Sequence, residues 1–221
     1  MIIDSKRFWN IHHHNTAHFL FKYLRLRRPT PEQIDHAIIF MRHTFGWLIP
    51  RPSMLKDLKE FAPIVEIGAG KGYWANLATE GEYESNWYHC YDTYIPPPRE
   101  SYYKIHKGDG KMMHTYPPTW NLFVCCPQYR SDHLLTALRA FEGKYLIYAG
   151  NIDFRLNFDP ETDKELDNWE IIKEVPIIDI DPDVKNWFRI YQRKVWKNNY
   201  LKKHTYHIAP RKGCVIPHLS A

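Results

Sequence analysis

The run Ile64-Val65-Glu66-Ile67-Gly68-Ala69-Gly70-Lys71-Gly72-Tyr73-Trp74 constrains the fold more than any other segment of the chain. A short, mostly apolar stretch ends in an acidic residue, turns through three glycines and opens a helix. An open α/β sheet presents a nucleotide-like ligand in this way, at the carboxyl end of a buried strand. Gly68 allows the turn out of the strand, Gly70 lets the backbone approach a ligand without a Cβ, and Gly72 permits tight helix packing. A nicotinamide or flavin site would place Gly or Ala five residues after the first glycine, where Tyr73 stands. A phosphate-binding P-loop needs Ser or Thr after Gly-Lys, but Gly72 follows Lys71.

The rest of the chain continues the alternation. Strands are expected near residues 64–67, 87–91, 102–105, 121–125 and 145–149, with helices at 74–78 and 132–141. This pattern predicts a doubly wound, mainly parallel α/β sheet covered on both faces. Two late runs, 169–175 and 187–195, flank an acidic turn at 179–183 and predict a closing antiparallel hairpin. Upstream, Thr30 is placed to cap a helix with Pro31 in its first turn. A second short helix, about 53–61, leads into the first strand, and residues 96–98 and 151–164 read as surface loops. The organisation is a basic arm (1–30), one domain (31–195) and a basic tail (196–221).

Composition narrows the functional classes. No apolar run reaches the roughly 18 residues of a spanning helix, and no secretory signal opens the chain, so a soluble intracellular protein without membrane contact is expected. The four cysteines form no C-x-x-C pair, which leaves a zinc ribbon or disulfide framework without support. His12, His13, His14 and His18 have no acidic partner nearby and read as surface features of the arm, so no metal is expected. Charge is uneven: residues 1–28 carry +5, 29–183 carry −9 and 184–221 carry +9. The last segment mixes cations with Trp187, Phe188, Tyr191, Trp196, Tyr200 and Tyr206. Either this is a nucleic-acid surface combining phosphate contact with base stacking, or a last strand with core aromatics and a solvated tail.

With Asp92 closing the second strand, the E-x-G-x-G-x-G order resembles the cofactor site of class I S-adenosylmethionine-dependent methyltransferases. Residues 46–194 also resemble a methyltransferase-like group from microbial eukaryotes and viruses. The shared features are Gly46-Trp47-Leu48-Ile49-Pro50, the G-A-G-x-G-Y-W bend, a C-x-P-x-Y motif and the Leu146 to Gly150 strand. The resemblance implies a seven-stranded, Rossmann-like methyltransferase fold and S-adenosylmethionine as cofactor. It assigns the methionine end to Glu66 and the backbone bend to Gly68, Ala69, Gly70 and Gly72, with Tyr73 at the border. Asp92 would accept from the ribose hydroxyls, and Asp109 from the adenine amino group. The alternative to ribose binding for Asp92 is a turn or cap residue, that for Asp109 is an ordinary turn, and that for Tyr73 is packing.

The acceptor side is carried by Cys126, Pro127, Gln128 and Tyr129, where amino-methylating relatives have N/D/S-P-P-Y/F. In those enzymes a polar side chain and the first Pro carbonyl accept from an exocyclic amine while the aromatic stacks on the base. Here Pro127 and Tyr129 keep the pattern. Cys126 replaces the polar acceptor with a thiol, a weak one, and Gln128 replaces the second proline. Cytosine-5 enzymes carry their nucleophilic cysteine after the proline, whereas Cys126 precedes it. The leading expectation is a methyltransferase acting on nucleic acid, RNA foremost, held by the arm and tail. The alternatives are a catalytically silent subunit that binds RNA or a larger assembly, and a protein or small-molecule methyltransferase.

Overall fold

The computed structural model describes residues 30–33, 35–36, 39, 46, 48–127, 132–151, 160–177 and 185–194. The elements in chain order are α1 (Pro52–Glu60), β1 (Ile64–Ile67), α2 (Tyr73–Ala78), β2 (Tyr88–Asp92), β3 (Ile105–Lys107), β4 (Asn121–Cys125), α3 (His133–Ala140), β5 (Tyr145–Asn151), α4 (Pro160–Leu166), β6 (Trp169–Ile177) and β7 (Asn186–Arg193). Short 3-10 turns at Pro98–Glu100 and Gly110–Thr115 flank β3.

All seven strands form one sheet in the order β3-β2-β1-β4-β5-β7-β6. Strands β1 to β5 pair in parallel, and β7 runs antiparallel between β5 and β6. The fold is therefore a doubly wound, mainly parallel α/β sheet with a C-terminal antiparallel hairpin. Buried parallel strands need apolar residues on both faces, and β1 is buried at every position. Ile64 joins Tyr88, Phe123, Ile147 and Phe188 beneath α1 and α2, where Met54, Leu58, Trp74 and Ala78 close that layer. On the other face Val65, Leu122, Val124 and Leu146 pack against Leu134, Ala137 and Leu138 of α3. Trp74 anchors the first layer: it lies parallel to Phe188 at 6.1 Å between ring centroids and donates its indole N–H to the Leu48 carbonyl at 3.0 Å.

Several expectations shift. β3 begins at Ile105, not at 102, because Tyr102 and Tyr103 approach the strand irregularly: the Tyr102 amide donates to the Lys71 carbonyl, and Tyr103 is buried with its hydroxyl on the Tyr88 carbonyl. Part of the expected loop at 151–164 is helical, since α4 covers Pro160–Leu166. Thr30 and Gln33 exchange the two bonds of a capping box, as its position ahead of Pro31 implies. Phe188 of the last strand is core and Tyr191 packs against the α3 layer. Arg193 bonds the carbonyls of Phe141 and Gly143, and Arg189 pairs with Glu174. These aromatics and cations serve the sheet. The acidic turn at 179–183, the N-terminal arm and Trp196, Tyr200 and Tyr206 lie outside the described residues.

Candidate functional site

The chain runs from β1 to β2 on one side and returns from β3 to β4 on the other, so the carboxyl ends of β1 and β4 flank a switch in direction. Ligand crevices of open α/β sheets form at such a point. The glycine bend fills it. The amides of Gly68 and Ala69 both donate to the Tyr91 carbonyl, which ties the bend to β2. Gly68, Gly70 and Gly72 have φ of 75°, 57° and 73°, a region that side chains rarely adopt. A Cβ on Gly68 or Gly70 would meet nothing within 4 Å, whereas one on Gly72 would lie 2.6 Å from the Tyr103 Cβ. The first two glycines face open space. The third is held against the chain entering β3 rather than against a helix.

Asp92, the last residue of β2, points at the bend. Its Oδ2 accepts from the Gly70 amide at 2.8 Å, and its Oδ1 accepts from the Tyr94 amide at 2.9 Å. Asp109 caps the 3-10 turn after β3, where its Oδ1 accepts from the Lys111 amide. Tyr73 is 3% exposed and meets Tyr102 edge-on, which gives it a packing role at the start of α2.

Glu66 is the unusual group. It is 2% exposed in the middle of the first core layer. Tyr88 and Cys90 both donate to its Oε2, at 3.0 and 3.5 Å. Burial raises its pKa to about 8, against the smaller lowering effects of those two donors. The same burial pushes the Tyr88 hydroxyl and the Cys90 thiol up. Sequence reading gave Tyr88 and Cys90 no role. The signal was their spacing: in a parallel register Ile64 pairs with Tyr88 and Glu66 with Cys90, so residues two apart on β2 face the same side as the carboxyl.

On the acceptor side, Cys125 ends β4 and Cys126 leaves it through a left-handed turn with φ of 44°, its amide bonded to the Ala149 carbonyl at 2.8 Å. Pro127 follows, half-buried, while Gln128 and Tyr129 lie outside the described residues. Among the described residues no cluster of three or more His, Cys, Asp or Glu could hold a metal ion, and no helix is long and apolar enough to cross a membrane.

No protein-family model matches the chain, and no curated protein does. Solved structures of similar shape include a candidate RNA methyltransferase from Pyrococcus horikoshii, 11% identical over 65% of this chain and 82% of that one, with a TM-score of 0.41. The N-methyltransferase NodS from Bradyrhizobium japonicum WM9 is 10% identical over 65% and 96%, also at 0.41. A candidate tRNA methyltransferase from Streptococcus pneumoniae, in complex with S-adenosyl-L-methionine, is 11% identical over 67% and 75%, at 0.41. In strand order and closing hairpin the described residues form a doubly wound, mainly parallel α/β sheet.

Proposed function

We propose that this protein is an S-adenosylmethionine-dependent methyltransferase acting on nucleic acid, RNA foremost. The observation that carries the reading is the Asp92 carboxylate joined to the Gly70 amide beside a bend whose first two glycines border open space. The residues present fit an adenosyl sulfonium. Asp92 has lone pairs left for two ribose hydroxyls, Gly68, Ala69 and Gly70 give close backbone approach, and Glu66 can supply a negative charge for an ammonium group. Asp109 is assigned the adenine edge and Tyr73 the support of the bend. The cofactor, when bound, supplies an electrophilic methyl group. The protein's work is then to orient the acceptor in line and to exclude water.

On the acceptor side the Pro127 carbonyl and the Gln128 side chain would accept from an amine, with Tyr129 stacking on the base. Cys126, whose thiol accepts poorly, supports a second reading: a catalytically silent subunit that keeps the cofactor fold and binds RNA or a larger assembly. Thermal melting with S-adenosylmethionine and with its demethylated product tests both readings at the level of binding. Saturation near 100-fold over Kd is expected to stabilise the chain by about 2.7 kcal/mol. Asp92→Ala should abolish the shift, and no shift at millimolar cofactor would sink the enzyme reading and leave the silent subunit. Radiolabel transfer to RNA, lost in Tyr129→Ala, separates the active from the silent form.

A further inference from the structure

Along a β-strand successive side chains point to opposite faces, so two adjacent cysteines at a strand end should have their sulfurs apart. Cys125 and Cys126 do not. Both pack against the same core layer, the one that holds Trp74 and Phe123. The backbone causes this. Cys126 adopts φ of 44°, and among the described residues only Glu80 shares a positive φ without being glycine. A left-handed non-glycine residue is strained, and strain of this kind gathers at functional sites. The bond from the Cys126 amide to the Ala149 carbonyl fixes the turn to β5, so the thiol pair sits at the carboxyl end of an interior strand. Both residues are half-buried.

We infer that Cys125 and Cys126 form a vicinal dithiol site that takes one soft, thiophilic centre, of the trivalent metalloid class, across both sulfurs. The geometry favours a bridging atom over a direct disulfide. Adjacent Cα atoms are about 3.8 Å apart, below the roughly 4.4–6.8 Å that unstrained disulfides span. A larger atom between the sulfurs relieves that mismatch, and thiolates select soft centres. With a monosubstituted arsenic(III) oxide, two As–S bonds form, the As–O bonds break, and the two thiol protons leave with the oxygen as water. Arsenic keeps its oxidation state, so no oxidant or reductant is required. Two bonds to one site make the adduct resistant to monothiols, because a detached sulfur recaptures the centre before it leaves.

The test uses the full chain and phenylarsine oxide. Intact mass should show one phenylarsenic group per chain, stable to a large excess of glutathione and removed by a small dithiol. Peptide mapping should then show Cys125 and Cys126 protected from iodoacetamide, with Cys90 and Cys214 labelling as in untreated, denatured protein. Cys125→Ser and Cys126→Ser should each lower monothiol-resistant capture at least tenfold, and Cys214→Ser should leave it unchanged. The mapping stands even if a variant folds poorly. Retention of the adduct in Cys126→Ser, displacement by glutathione, or closure of a Cys125–Cys126 disulfide by oxidised glutathione in preference to capture would each overturn the assignment.

Discussion

At the scale of single residues, Glu66 makes the sharpest statement about pH. A carboxyl with a folded pKa near 8 and an unfolded value near 4.5 holds its proton in the native state while the unfolded chain has given its own up. Its contribution to stability is therefore fully present below about pH 4.5, declines as pH rises, and is lost above about 8. Glu66→Gln, which keeps an acceptor for Tyr88 and Cys90 but cannot ionise, should melt several degrees above the wild type at pH 9 and lose that advantage by pH 5. Parallel melting curves across this range would contradict the buried protonated state. A cationic ligand seated on Glu66 would expel that proton, so its affinity should rise from pH 6 to 8. Calorimetry in buffers of different ionisation heat should register proton release near pH 7, absent in Glu66→Gln. Gly72 gives a second residue-scale test. Gly72→Ala combines a left-handed backbone with overlap onto Tyr103 and should cost about 2–4 kcal/mol by urea unfolding.

At the scale of elements, the legible and the illegible parts of the sequence separate by physical cause. The bend from Ile64 to Trp74 could be read because glycine is required where the backbone turns left-handed, and β1 because both its faces are buried. Asp92 was legible as the end of the next strand. Helix α4 was not: Pro160–Leu166 buries only Thr162, so no apolar period marks it. It has acidic residues in its first turn and Arg139 of α3 beside Glu161 and Glu165. The turn at Cys126 was also invisible, because cysteine gives no hint of a positive φ. Nor could the sequence alone show that Tyr88 and Cys90 would engage Glu66, since that depends on strand register. Trp74 shows how much one side chain can hold. It joins α2 to Phe123 and Phe188 and reaches the Leu48 carbonyl, so Trp74→Ala should cost about 3–5 kcal/mol in chemical denaturation.

At the scale of the whole molecule, an acidic centre lies between two basic ends. If those ends grip phosphates, RNA binding should weaken steeply with salt, and a chain ending after Val195 should lose most of both the affinity and the salt slope. Its melting temperature should stay within a few degrees, because all seven strands of the described residues lie before the cut. The strand order carries a separate consequence for biosynthesis. Among the described residues the last strand, β7, is not a margin but an interior rung, and β6 pairs with the sheet only by way of it. Until Arg193 has cleared the ribosome, the growing polypeptide presents β5 with one row of amides and carbonyls uncovered, an invitation to stray pairing between neighbours. Nascent chains halted before residue 186 should therefore be protease-sensitive and self-associating, and those released beyond 193 should be neither.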